Sequence, residues 1–80
     1  MKYKIGDILF VKKCEYKNDL AYLLRLPPRL YNTFGIIIRI HKYNDILEGE
    51  EADNVYVWLS QIDAKTYCFY EEDVEAEVFE

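Results

Sequence analysis

Eighty residues leave room for one domain and exclude a second independent core, because folding at this length buries only a little over ~60% of the surface the unfolded chain exposes. Hydrophobic residues make up 51% of the chain and charged residues 31%, which excludes a disordered tail and indicates one small globular domain over 1–80. The net charge of −5 conceals a polarity: residues 1–44 carry nine Lys or Arg against three acids (+6), residues 45–80 one Lys against twelve acids (−11), too little positive charge for direct nucleic-acid binding.

Period-two patterns then run through the chain. Ile5 to Cys14, around a Gly6-Asp7 pair, reads as a first strand with Leu9 and Val11 on one face and Ile8 and Phe10 on the other, covered on both sides. The segment 15–34 interrupts the strands. Within it, Asn18-Asp19 form a candidate N-cap ahead of Leu20, Ala21, Leu23 and Leu24, which predicts two helical turns ended by Pro27-Pro28. Gly35 to Tyr43 reads as the second strand, with Gly35 where the entering chain needs an unusual backbone angle. The polar stretch Asn44 to Asp53 reads as an exposed loop. Asn54 to Ile62 is the third strand, and the short link Asp63-Ala64-Lys65 joins it as a hairpin to Thr66–Glu71. Glu72-Asp73-Val74 is a tight turn before a brief last strand, Ala76 to Phe79.

The arrangement Tyr3-x-Ile-Gly-Asp-x-Leu-x-Val11 resembles the opening of Src-homology-3-like small barrels, in which an apolar strand follows a Gly-Asp turn. Gly35-Ile-Ile-Ile-Arg-Ile resembles the second strand of that family, Val55-Tyr-Val-Trp the third, and Thr66-Tyr-Cys-Phe-Tyr-Glu-Glu-Asp-Val-Glu the fourth strand, its one-turn helix and the closing strand. The resemblance implies a mostly β, five-stranded small barrel with a partly helical insertion between the first and second strands. It also implies binding of peptides, proteins or nucleic acid, in the manner of small bacteriophage-encoded or bacterial accessory proteins, without fixing which.

Catalytic and cofactor signals are absent from the sequence. His41 is the single histidine, on a predicted strand with no nucleophile or carboxylate at a telling spacing, and no Gly-rich phosphate loop or nucleophile elbow occurs. Cys14 and Cys68 have neither disulfide-framework nor zinc spacing and read as reduced thiols; Asp45 to Asp53 lacks the alternating oxygen ligands of a calcium loop. The expectation is a protein with no enzymatic activity, no cofactor and no metal. No apolar run approaches a transmembrane length and no signal peptide is visible, which predicts a cytoplasmic protein without membrane contact.

Binding is therefore the expected activity, and the partner a protein. The candidate contact residues are Tyr22, Arg25, Arg29, Tyr31, Tyr56 and Trp58, since Tyr, Trp and Arg anchor interfaces. On the third strand, Tyr56 and Trp58 are expected on the exposed face in preference to Val55, Val57 and Leu59. The run Arg25-Leu-Pro-Pro-Arg-Leu30 favours polyproline II geometry with an arginine on each side. A second expectation is an acidic face of Glu48, Glu50, Glu51, Asp53, Glu71, Glu72, Asp73 and Glu75, with Glu77 and Glu80, that copies nucleic-acid phosphates and blocks a basic groove on a nuclease or defence protein. A third is self-association into a homodimer or a structural assembly through short edge strands.

Overall fold

Chain direction is first fixed at Gly6, whose φ of +94° suits a residue without a Cβ. The Lys4 amide donates to Asp7 Oδ2 at 2.8 Å and the Asp7 amide to the Lys4 carbonyl at 3.0 Å, closing the turn. The first strand consequently begins at Ile8, not at Ile5. The computed structural model describes residues 2–17, 24–43 and 53–79. Five strands appear there: β1 (Ile8–Cys14), β2 (Thr33–Tyr43), β3 (Asp53–Ser60), β4 (Thr66–Tyr70) and β5 (Val74–Phe79). All pairings are antiparallel, in the order β4-β3-β2-β1-β5.

The mostly β expectation holds, while barrel closure and a helical insertion are not seen among the described residues. The five strands form one open sheet: β4 and β5 are its two ends and do not pair with each other, so the expected barrel closure is not observed. The described residues contain no α-helix, and helical geometry is confined to a single 3-10 turn over Pro28–Leu30. Most of the helical turns expected after Asn18-Asp19 fall on 18–23, outside the described residues, as does the loop expected over 44–53 apart from Asp53, which opens β3. The turn expected at Glu72-Asp73-Val74 sits one residue earlier, at Glu71–Asp73, and β5 starts at Val74 because the Glu15 amide bonds the Asp73 carbonyl at 2.9 Å. No helix among the described residues is long and apolar enough to cross a membrane.

Gly35 serves a different purpose from the one expected. Its φ is not positive; instead, a Cβ there would lie 2.2 Å from Trp58 Cε2 and 2.5 Å from the Leu59 carbonyl oxygen. The missing side chain lets the Trp58 indole lie directly on β2, and that contact sets the inward face of β3. Leu9, Val11, Ile37, Tyr56, Trp58 and Phe69 are fully buried there, with Leu26 and Leu30 packed in from the segment before β2. The two ends of the sheet are finished differently. At β4, Arg25 bridges Cys68, the Cys68 amide donates to the Leu24 carbonyl at 2.7 Å, and the Tyr16 hydroxyl donates to the Cys68 carbonyl. At β5, the described residues supply no comparable cover.

Candidate interaction surface

Alternation along β1 sends Leu9 and Val11 into the core and therefore Ile8 and Phe10 outward. Register does the rest. Ile8 lies opposite Phe79 on one side and Ile36 on the other, and Ile36 lies opposite Leu59, so Phe79, Ile8, Ile36 and Leu59 form one apolar row across four strands. The neighbouring row holds Glu77, Phe10 and Phe34. Phe10 and Phe34 meet with ring centroids 4.9 Å apart and Phe34 and Phe79 at 5.5 Å, the latter nearly perpendicular at 80°. Exposure reaches 42% at Ile8, 37% at Phe34 and 61% at Phe79. A hollow of about 440 Å³ opens beside Ile8, Phe34, Ile36 and Leu59, and a second of about 210 Å³ beside Phe10, Phe34 and the Glu77–Phe79 stretch of β5. Glu77 ends the second row at the rim, paired with Lys12 at 2.8 Å, and the row Phe79–Ile8–Ile36–Leu59 carries no charge.

The contact residues expected from the sequence lie elsewhere. Tyr56 and Trp58 are 0% exposed, reversing their expected orientation, while on the other face Val57 and Leu59 are half-buried and Val55 is buried against Tyr70. The cause is Trp58 seated on Gly35, together with Tyr56 packed edge-on against Tyr3 at 5.1 Å. The Tyr56 hydroxyl donates to Glu71 Oε1 at 2.7 Å. Burial first and this carboxylate second push the Tyr56 phenol up to about 12. Tyr31 is half-buried and its hydroxyl donates to the Cys14 carbonyl at 2.7 Å. Arg29 reaches Asp63 Oδ2 at 3.2 Å and the Tyr67 hydroxyl at 3.3 Å, and the Tyr67 hydroxyl donates to the same carboxylate at 2.5 Å. The Tyr67 hydroxyl foremost, aided by the Lys65 amide and Arg29, holds the Asp63 carboxyl down at about 2. Arg29 is thus a brace between the 3-10 turn and the β3–β4 hairpin. Arg25 is exposed with its guanidinium 5.2 Å from the Tyr16 ring centre. Tyr22 lies outside the described residues.

Pro27 has polyproline II geometry, with φ −76° and ψ 150°, but from Pro28 the chain turns into the 3-10 helix, with Leu26 and Leu30 buried on either side. The acidic face does not assemble as expected from the residues described. Asp73 is 5% exposed in its turn, and Glu71 is turned toward the Tyr56 hydroxyl and the Lys2 amide. Burial works to raise the Glu71 carboxyl, but those two donors together with nearby positive charge leave it lowered. Glu72 and Glu75 are exposed; Glu48, Glu50, Glu51, Glu80 and the Asp53 side chain lie outside the described residues.

Both thiols sit beside Tyr16 and are unactivated. Burial pushes Cys14 up to about 11 and also raises Cys68. Among the described residues no cluster of three His, Cys, Asp or Glu side chains is placed to hold a metal ion. Sequence reasoning missed Ile8, Phe10 and Phe79 as surface residues. The signal for Ile8 and Phe10 is their alternation with Leu9 and Val11, which places them on the face opposite the core. No family model, curated protein or solved structure matches the chain.

Proposed function

We propose that this chain is a non-catalytic protein-interaction module of Src-homology-3-like type, which docks a protein partner on the outer apolar face of β1, β2 and β5. The observation that carries this reading is the uncharged row Phe79–Ile8–Ile36–Leu59 with Phe10 and Phe34 beside it, left open on a chain of net charge −5. Such a face suits an interface core, where charged residues are depleted and aromatics enriched. The family reading is supported by the strand order, a meander from β1 to β4 with β5 returned beside β1. The segment before β2 contributes by packing and not by recognition in its described part, since Leu26 and Leu30 are buried and Arg29 is held by Asp63.

The test is partner capture from an extract of the source cells by immobilised wild-type chain, Ile8→Lys and Phe79→Lys, washed at low and high salt. The reading expects a protein retained by wild type at both salts and lost by both variants, whose melting temperatures stay close to wild type. Equal retention by the variants would refute it. Self-association through the same face is the second reading, favoured by the lack of charge within it; a concentration-dependent dimer abolished by Ile8→Lys would select that reading.

A further inference from the structure

We propose that β5 accepts an additional strand: an extended segment of a partner protein in which basic residues alternate with apolar ones. The inference rests on the interaction-module reading and specifies the chemistry of the partner.

Backbone direction comes first. The Asp7 carbonyl accepts from the Ile37 amide at 2.9 Å, so in the alternating antiparallel pattern Leu9 also turns its backbone groups toward β2, and Ile8 and Phe10 turn theirs toward β5. Their register partners Phe79 and Glu77 are thereby bonded to β1, and the N–H and C=O groups of Ala76 and Val78 point away from the sheet. Among the described residues no hydrogen bond is made to them. The contrast with β4 is direct, because there Leu24 and Tyr16 take up the outward groups of Cys68.

Side chains point the same way. Val78 lies opposite Leu9, on the inward face, yet it is 38% exposed while Leu9 is 0% exposed. The core is therefore open at the Val78 end of β5, while Val74 is buried and Ala76 packs on the core, and one more strand would cover that end with an apolar side chain. On the outward face β5 presents Glu75, Glu77 and Phe79. A strand laid beside these residues gains from Lys or Arg opposite the two carboxylates, of which Glu77 also pairs with Lys12, and from the aliphatic stem of a third basic side chain beside Phe79. The same carboxylates work against edge pairing between two copies of this chain, since acidic β5 strands would then face each other. Charge complementarity thus selects a basic segment over a second copy, and β-strand addition is an established mode of peptide recognition.

The probe is a blocked six-residue peptide alternating Lys with Val, matched to the length of β5, with a Glu-Val peptide as its counterpart. Binding to the whole chain is followed by backbone amide shifts and hydrogen exchange. The expected result is slowed exchange at the Ala76 and Val78 amides, with affinity for the Lys-Val peptide on the order of tenfold above that for the Glu-Val peptide. The double variant Glu75→Lys, Glu77→Lys should reverse that preference. Val78→Pro removes one outward N–H while sparing the pairing with β1, since edge strands accept proline, and should abolish binding. Unchanged exchange at Ala76 and Val78 with saturating peptide, or equal affinity for both peptides, would overturn the inference. A dimer dissociated by Val78→Pro would assign the edge to a second copy and overturn it too. Ile8→Lys reads the outer face independently: partner capture lost in that variant while the peptide fails to bind would leave the face reading standing and remove only the edge.

Discussion

Gly35→Ala tests the contact on which the inward face depends. A methyl group at this position would meet Trp58 Cε2 at 2.2 Å, Trp58 Nε1 at 2.5 Å and the Leu59 carbonyl oxygen at 2.5 Å, so roughly 1.2 Å must open before the first contact reaches the 3.4 Å of ordinary packing. The indole has no free direction to move in, being 0% exposed, and Leu59 is fixed by its pairing with Ile36. Overpacking of a filled core costs about 1–3 kcal/mol, and complete loss of the Trp58 packing would cost about 3–5 kcal/mol. We therefore expect a loss of about 3 kcal/mol out of the roughly 4–12 kcal/mol available to a domain of this length. Thermal melts by circular dichroism should show Tm falling by about 12–24 °C. The cycle with Trp58→Leu, which lacks both clashing ring atoms, isolates the cause: Gly35→Ala should cost at least about 1 kcal/mol less in that background. A Tm within a degree or two of wild type, or strictly additive effects in the cycle, would refute the steric argument.

Ala64 holds φ of 58° in the β3–β4 turn, a conformation that costs a residue with a Cβ about 1–2 kcal/mol. After the entropy that glycine adds to the unfolded chain, Ala64→Gly should stabilise by about 0.5–1 kcal/mol, read as a Tm a few degrees higher. Asp63, held at about 2 against an ordinary 3.8, contributes stability that is fully present above about pH 4 and is lost as pH falls through about 2. Melts across that window should be steeper for wild type than for Asp63→Asn, and equal slopes would count against the Arg29–Asp63–Tyr67 brace. Cys14, raised to about 11 by burial, should resist alkylation in mildly alkaline buffer until the chain is unfolded by urea. Trp58→Ala should destabilise by about 3–5 kcal/mol, whereas Ile8→Ser on the outer face should cost less than about 1 kcal/mol.

Strand positions were legible in the sequence because β-branched and aromatic residues alternate between turn residues with few exceptions; all five strands fall within about two or three residues of their expected places. The orientation of β3 was not. Both of its faces are apolar, Tyr56 and Trp58 on one and Val55, Val57 and Leu59 on the other, so alternation alone cannot choose which is buried. The choice is made by Gly35, twenty-odd residues away in sequence, whose bare Cα accepts the indole. Likewise, arginines flanking two prolines suggest a surface ligand until Leu26 and Leu30 are seen in the core and Arg29 on Asp63. The outer face was hidden by an assumption: apolar residues on both sides of β1 implied cover on both sides, and the described residues supply it on one side only.

The division of labour among the aromatics is the strongest physical argument that the outer face exists to be covered. Tyrosines do the structural work here. The hydroxyls of Tyr16, Tyr31, Tyr56 and Tyr67 each donate a hydrogen bond, to the carbonyls of Cys68 and Cys14 and the carboxylates of Glu71 and Asp63, so each ring lies in or beside the core while its polar end ties down the rim. Phenylalanine has no such handle, and by transfer free energy it belongs inside; Phe69 is there, at 0% exposure. Phe10, Phe34 and Phe79 instead lie together on the open side of the sheet, with Phe34 and Phe79 more than a third exposed. The cross-strand contacts among the three rings stabilise the sheet, yet much of the Phe34 and Phe79 surface still faces water. On the docking proposed above, a partner would bury the three rings. Replacing Phe79, the most exposed of the three, with Ser should therefore weaken partner binding far more than it lowers Tm.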